Sequence, residues 1–138
     1  MTYQRFEDLP VWQAAAELYD QVDAFLASAP QGMRLCFQDQ LTRAALSVSN
    51  NIAEGFERGT TRETINFLYI ARGSAGEVRS MLRLAARKTA WQCHHPRIAS
   101  IIEQASSCSR QLRGWAESLQ TTPIRGQRYL NNPQKPSA

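Results

Sequence analysis

Apolar residues recur along most of the chain at steps of three and four residues, and no stretch alternates regularly between apolar and polar positions. Steps of three and four place side chains on one face of an α-helix, because the helix turns about 100° per residue. Short clusters rich in glycine, proline and threonine interrupt this pattern. The pattern therefore predicts four helices, over about residues 8–28, 34–57, 62–89 and 96–119.

The residues at the predicted helix ends are types that begin or stop helices. Asp8 is predicted to cap the first helix, with Pro10 in its first turn, where the missing N–H has no intrahelical partner to lose. Thr60 or Thr61 is predicted to cap the third helix. The segment 93–96 ends in proline and is expected to separate the third and fourth helices.

The four predicted helices are amphipathic and joined by short connections. Such helices fold most simply as an antiparallel, up-down-up-down four-helix bundle, so the predicted fold class is all-α. A chain of 138 residues with 43% hydrophobic residues is long enough for one domain with its own core. We assign the bundle to residues 1–120 and predict a basic, proline-containing flexible tail over residues 121–138.

The predicted third helix carries a second group of small and apolar residues opposite its main apolar face. A helix buried on one face of a regular bundle does not need a second apolar surface. Either the bundle is irregular or this surface packs against another subunit, and we favour the subunit contact. The predicted oligomer interface consists of Ile70, Gly73, Met81 and Leu84.

Positive charge is concentrated after the first predicted helix. Residues 1–33 contain one arginine and five acidic residues, whereas residues 34–138 contain fifteen basic and seven acidic residues. Arginine binds phosphate and carboxylate groups in a bidentate manner, so both a nucleic-acid surface and salt bridges between subunits remain open. We favour nucleic acid. The candidate residues on the third helix are Arg72, Arg79, Arg83, Arg87 and Lys88, with Arg58 and Arg62 as weaker candidates beside the preceding loop.

A polar ridge follows the apolar stripe of the predicted second helix. Its residues stand mainly at four-residue steps, so neighbouring side chains can touch. We predict a structural polar network that joins the second helix to the third, since buried polar groups need partners; a ligand-binding cluster is the alternative. Gly55 lies among the apolar positions and indicates a close approach of two helices. The predicted network consists of Arg43, Ser47, Asn51, Glu54, Ser74 and Glu77.

Metal and disulfide chemistry have little support in the sequence. Cys36, Cys93 and Cys108 are far apart, so we expect reduced, buried cysteines. The neighbouring His94 and His95 lack a second ligand pair, which indicates a polar loop and not a zinc site. The tryptophans expected in the core or in subunit contacts are Trp12, Trp91 and Trp115.

Catalytic motifs are missing as well. The sequence contains no Gly-x-Ser-x-Gly, His-Glu-x-x-His or Walker motif, so we predict a protein that is not an enzyme and needs no cofactor or metal. No apolar run reaches the roughly 18 residues of a membrane span, and the first residues lack the apolar core of a signal peptide. We therefore expect a cytoplasmic protein without membrane contact.

Three segments together resemble a known family. They read FEDLPVW at 6–12, SVSNNIAEGF at 47–56 and ARGSAGE at 71–77. This combination resembles the four-helix bundle proteins encoded in intervening sequences of bacterial 23S ribosomal RNA genes, and is similar to the accessory variability determinant proteins of diversity-generating retroelements. The resemblance covers about residues 5–119 and implies a ring-shaped homopentamer around a basic central channel. It supplies no catalytic residues.

The sequence thus favours a non-enzymatic homo-oligomer that binds RNA or DNA through arginine side chains. The alternative is a protein-interaction adaptor that docks a partner such as a retroelement reverse transcriptase, without direct nucleic-acid contact. A structural oligomer without any ligand is the third possibility.

Overall fold

The computed structural model describes residues 3–121, and within that range the chain is helical without any strand. This confirms the all-α, four-helix prediction. Two short 3₁₀ helices accompany the four α-helices. The 3₁₀ segments cover Phe6–Asp8 and Thr89–His94, and the α-helices are α1 (Pro10–Ala27), α2 (Leu35–Arg58), α3 (Thr61–Ala86) and α4 (His95–Thr121).

The start of α1 differs from the prediction in one respect. Pro10 opens the helix as expected, but Leu9 occupies the cap position, and no side chain bonds there. Asp8 instead lies in the first 3₁₀ helix, where its carboxylate accepts a hydrogen bond of 3.1 Å from the Arg5 guanidinium. The prediction that Asp8 caps α1 was therefore wrong, because a local ion pair holds its carboxylate.

The turn between α2 and α3 follows the prediction closely. Gly59 ends α2 in the left-handed region with φ 88°, a conformation that glycine adopts without strain. Thr60 caps α3, since its hydroxyl oxygen accepts a hydrogen bond of 3.2 Å from the backbone N–H of Glu63. Of the two threonines that the sequence offered, the structure selects Thr60.

The connection between α3 and α4 is more regular than a loop. The residues Thr89–His94 form a 3₁₀ helix, broken at Trp91, and α4 begins at His95. The ring of His94 packs edge-on against Phe25 at a centroid distance of 6.1 Å. The predicted polar loop at His94 and His95 is therefore a helical junction that contacts α1.

The core lies where the four predicted apolar stripes meet. Helix α3 packs against both α2 and α4, while α1 packs more sparsely against α2 and α4. Leu18, Ile52, Leu82 and Leu112, one from each helix, are buried in this core. The three tryptophans are half-buried and pack around it. Burial of these stripes is the main force that stabilises the bundle.

The cysteine prediction was correct for one residue and wrong for two. Cys108 is buried in α4, whereas Cys36 and Cys93 are exposed. Cys36 lies in the first turn of α2 and Cys93 in the second 3₁₀ helix, where neither belongs to an apolar stripe. Both residues are exposed because they lie near helix ends and outside the apolar stripes that form the core.

Two further predictions concern the C-terminal tail and membrane spans. Thr121 still belongs to α4, and the rest of the predicted tail, residues 122–138, lies outside the described residues. Among the helices of residues 3–121, none is long and apolar enough to cross a membrane.

Candidate nucleic-acid interface

Three arginines lie along one side of α3 and form what we call the arginine face: Arg72, Arg79 and Arg83. At 100° per residue their directions agree within about 40°. With a rise of 1.5 Å per residue they span roughly 16 Å of the helix. Arg72 and Arg79 are half-buried, and Arg83 is exposed. Helix α3 therefore places these three arginine side chains in a row along one side.

The arginine face has no anionic partner within the described part of the chain. No salt bridge between described residues includes Arg72, Arg79 or Arg83. The Nε atoms of Arg72 and Arg79 are buried and lack an acceptor. By contrast, Arg110 and Arg113 on α4 pair with Glu103 and Glu117. The arginines of α3 therefore retain hydrogen-bonding capacity for an external anion.

An open hollow adjoins the arginine face between α3 and α4. It has a volume of about 300 Å³, and its walls include Arg83, His95 and Glu103. Glu103 is the acidic residue in this wall, and its carboxylate accepts a hydrogen bond of 3.1 Å from Arg110. No ion pair joins Glu103 to Arg83, so Arg83 has no salt-bridge partner in this wall.

Arg58 and Arg62, the weaker candidates, lie at the opposite end of α3 from Arg87. Arg62 and Arg87 are separated by about 37 Å along the helix. The Arg58 guanidinium lies 3.1 Å from Glu54 and 3.6 Å from Glu63, and 5.3 Å from the centre of the Phe67 ring. Arg58 therefore holds the α2–α3 turn together and is less available to a ligand.

Arg87 and Lys88 continue the positive charge at the end of α3. Arg87 is the C-terminal cap residue of α3, and Lys88 is the cap residue before the second 3₁₀ helix. Both side chains are exposed. Arg87 extends the positive charge to the end of α3, whereas Lys88 lines a cleft together with Leu84. Arg62 lies about 15 Å along α3 from Arg72, so Arg58, with its salt bridges, is the candidate set apart from the others.

The polar network is smaller than predicted. Ser47 and Ser74 share a hydrogen bond of 2.8 Å across α2 and α3, and the Asn51 amide donates to the Ser47 hydroxyl at 2.9 Å. Arg43 and Glu77 are exposed and have no hydrogen-bonding or ionic partner among residues 3–121. Glu54 faces Arg58 instead. The network is therefore a hydrogen-bonded cluster of three residues that joins α2 to α3.

The predicted oligomer interface forms an apolar strip, made of Ile70, Gly73, Met81 and Leu84. Ile70 is 51% exposed and Leu84 is 49% exposed, while Met81 is half-buried against the core. A Cβ atom at Gly73 would meet no atom within 4 Å. Ile70 points about 180° away from Arg79 around the helix. The apolar strip and the arginine face are therefore separate surfaces.

Two residues with candidate roles were missed in the sequence, namely Arg34 and Trp91. Arg34 was not singled out, and Trp91 was expected to serve as an ordinary packing aromatic. Both line a cleft at one end of the bundle, together with Lys88. The signal that could have found them is the predicted up-down-up-down order, which brings the α1–α2 and α3–α4 connections to the same end of a bundle.

Across the described range, no three His, Cys, Asp or Glu residues come together in a way that could hold a metal ion. The arrangement instead offers guanidinium and ammonium groups, which bind anions.

Comparisons with known proteins agree with the helical architecture. A crystal structure of a protein with unknown function, from the S23 ribosomal protein family of Bacteroides thetaiotaomicron, is 19% identical with a TM-score of 0.69. The match covers 78% of this chain and 98% of that chain, and at this identity it shows the fold. No curated protein matches the sequence. The family model of the 23S rRNA-intervening sequence protein matches residues 7–114. The resemblance to the 23S rRNA intervening-sequence proteins is thereby confirmed, and the chain belongs to the 23S rRNA-intervening sequence protein family.

Proposed function

We propose that this protein is a non-enzymatic, cytoplasmic homo-oligomer that binds RNA or DNA through the arginine face. The observation that carries the proposal is the lack of a salt-bridge partner for Arg72, Arg79 and Arg83 among the described residues. Three like charges within about 16 Å repel one another. An array of this kind is favourable when an external polyanion neutralises it.

A phosphate backbone fits this array better than a single small anion. Arg79 and Arg83 are about 6 Å apart along the helix axis, and Arg83 and Arg87 have the same spacing. Each guanidinium can donate two parallel hydrogen bonds to one phosphate group. Contacts of this kind do not read the base sequence, so the proposed binding is non-specific and weakens steeply with salt.

The apolar strip supports the oligomeric part of the proposal. Ile70 and Leu84 are exposed on the side of α3 away from the arginine face, so a neighbouring subunit and a nucleic acid do not compete for one surface. We propose an up-down-up-down bundle that assembles into a homopentameric ring. The α2–α3 contacts at Ser47–Ser74 and Gly55–Phe67 run in opposite chain directions, which supports the antiparallel order. A ring would repeat the arginine face in every subunit.

A second candidate is an adaptor that docks an acidic protein partner, such as a reverse transcriptase. Arginine pairs with carboxylates as well as with phosphates. The half-burial of Arg72 and Arg79 favours this alternative, because partly buried guanidinium groups suit a close protein contact. Under this alternative the same charge reversal removes protein binding, while nucleic acid does not bind at all.

The test is charge reversal on the arginine face. The double variant Arg79→Glu, Arg83→Glu is compared with Arg5→Glu, Arg97→Glu, which has the same net charge and changes one residue before the first 3₁₀ helix and one in the first turn of α4. We expect at least a tenfold loss of duplex affinity in the first variant, and a salt slope smaller by about two. The control should bind like the natural protein. Equal effects in both variants, or no binding by the natural protein, would contradict the proposal.

A further inference from the structure

A cleft of about 280 Å³ opens at the end of the bundle where the α1–α2 connection meets the end of α3. Phe37 of α2 and Trp91 of the second 3₁₀ helix supply its aromatic surface, and Leu84, which also belongs to the apolar strip, lines it as well. Gly32, with φ 89°, lines the cleft without a side chain. This volume lies just below the range of about 300–1,000 Å³ that is usual for small-molecule sites. The cleft therefore suits one small, flat group.

The aromatic part of the cleft is held in place by the fold. The indole Nε1 of Trp91 donates a hydrogen bond of 2.9 Å to the backbone carbonyl of Gln31, which joins the two chain connections. Phe37 is half-buried and packs against the core. Rings that are fixed before binding lose little conformational entropy when a ligand stacks on them. The pair Phe37 and Trp91 forms a preorganised aromatic surface.

The charge in the cleft is positive. Arg34 and Lys88 line it, and no acidic residue does. Neither side chain forms a salt bridge with another residue of the described range. Arg34 is also the cap residue of α2, whose N-terminus has no side-chain cap and no acidic residue in its first turn. The partial positive charge of the helix N-terminus adds to the two side chains.

We propose that this cleft binds a single nucleotide, with the base against Trp91 and Phe37 and the phosphate between Arg34 and Lys88. Aromatic stacking combined with nearby cations is the chemistry by which proteins hold unpaired bases. A free mononucleotide and the unpaired end of a strand offer the same groups. The inference deepens the proposed function and rests on it for the strand, because Lys88 is both a candidate nucleic-acid residue and part of the cleft wall.

The experiment uses Trp91 as its own reporter. In the full-length variant Trp12→Phe, Trp115→Phe, Trp91 is the one remaining tryptophan. Its fluorescence is followed while adenosine monophosphate, ribose 5-phosphate, or a ten-nucleotide single strand with a 5′-phosphate is added. We expect saturable quenching by the mononucleotide or the strand, and none by ribose 5-phosphate, which has the phosphate but lacks the base.

Substitutions then test the charged wall. Arg34→Gln and Lys88→Gln, each in the Trp91-only background, should weaken binding about tenfold, the usual size for a charge-assisted hydrogen bond. Arg5→Gln removes the same charge just before the first 3₁₀ helix and should leave binding unchanged. Calorimetry on the chain with all its natural tryptophans repeats the titration, so a folding defect in the reporter variant cannot hide the result.

The outcomes separate this inference from the proposed function. Quenching by the strand alone supports the site as one for a strand end, and quenching by the mononucleotide alone supports it as one for a free nucleotide, even if duplex binding fails. No quenching and no calorimetric heat, while Arg79→Glu, Arg83→Glu still abolishes duplex binding, overturns the nucleotide cleft and leaves the proposed function intact. Binding of ribose 5-phosphate as tight as that of adenosine monophosphate also overturns the nucleotide cleft, since the base would then contribute nothing.

Discussion

Gly55 of α2 lies against Phe67 of α3 with no room for a side chain. A Cβ atom at Gly55 would lie 2.6 Å from the Cβ of Phe67 and 3.4 Å from the Cα of Thr64. The Thr64 hydroxyl donates a hydrogen bond of 2.9 Å to the Gly55 carbonyl across the same contact. The missing side chain therefore lets two helices approach closely enough for a buried hydroxyl to bond a helix backbone.

Gly55→Ala should destabilise the bundle. The added methyl group has to displace the Phe67 Cβ, which is tied to the α3 backbone, so we expect a loss of about 1–3 kcal/mol in the free energy of unfolding. Urea denaturation measures it. Gly114→Ala in α4 is the matched control, because no atom lies within 4 Å of its Cβ and alanine favours a helix by about 1 kcal/mol. An unchanged or raised midpoint for Gly55→Ala would contradict the close contact.

The Ser47–Ser74 hydrogen bond should appear as a coupling energy between α2 and α3. A double-mutant cycle with Ser47→Ala and Ser74→Ala should give about 0.5–1.5 kcal/mol, because the pair is partly buried between α2 and α3. Ser107 and Gln111 form an exposed hydrogen bond within α4, and the same cycle there should give a value near zero. Similar couplings for the two pairs would show that Ser47 and Ser74 do not join the helices.

The fold could be predicted from the sequence because its information is periodic and local. Apolar residues at helical steps identified the four core stripes. Gly59 followed by Thr60 marked the turn between α2 and α3. Asp8 was misassigned because a cap residue and an ion-pair partner look alike in sequence. The 3₁₀ helix Thr89–His94 was missed because a single short turn has no periodicity to detect.

The candidate surfaces were predictable where they follow one helix, and not where they combine several. Arg72, Arg79 and Arg83 share one side of α3, so rotation alone brings them together. Arg43 and Glu77 were wrongly assigned to the network. Helical spacing gives the direction of a side chain but not its distance from a neighbouring helix. The cleft at Arg34 and Trp91 depends on two connections meeting in space, which follows from the order of the helices in the bundle and not from residue spacing within one helix.

The apolar strip should control assembly. Ile70→Glu with Leu84→Glu places two charges on the proposed subunit contact, where burial of unpaired charge is costly, so we expect a lower molar mass by light scattering. Circular dichroism should stay helical, since both side chains are about half exposed in the single chain. Leu35→Glu is the matched control, because Leu35 is 74% exposed and lies outside the strip. If Leu35→Glu lowered the molar mass and the double variant did not, the assignment of the apolar strip as the subunit contact would be contradicted.

The three thiols should differ in reactivity and in their effect on stability. Burial raises the pKa of the Cys108 thiol to about 11, so at pH 8 a thiol reagent should label Cys36 and Cys93 rapidly and Cys108 only after unfolding. In the unfolded chain the Cys108 thiol loses its proton at about pH 8.5. The unfolded state therefore gains charge first, and the unfolding free energy should fall between that pH and about 11.

The matched control for this prediction is Cys108→Ala, measured over the same pH range. It lowers the overall stability, because a buried side chain is truncated. Its decline in unfolding free energy above pH 8.5 should nevertheless be shallower than that of the natural protein. Rapid labelling of all three thiols in the folded protein would contradict the burial of Cys108.

The measurement that most directly tests the central proposal is light scattering coupled to size exclusion, run with and without a short nucleic-acid duplex at low and high salt. We predict a pentamer-sized mass that takes up duplex at low salt and releases it at high salt, because phosphate contacts dominate. A pentamer that ignores nucleic acid under both conditions would contradict the proposed function and favour the adaptor. A monomer would contradict both the apolar strip as an interface and the proposed ring.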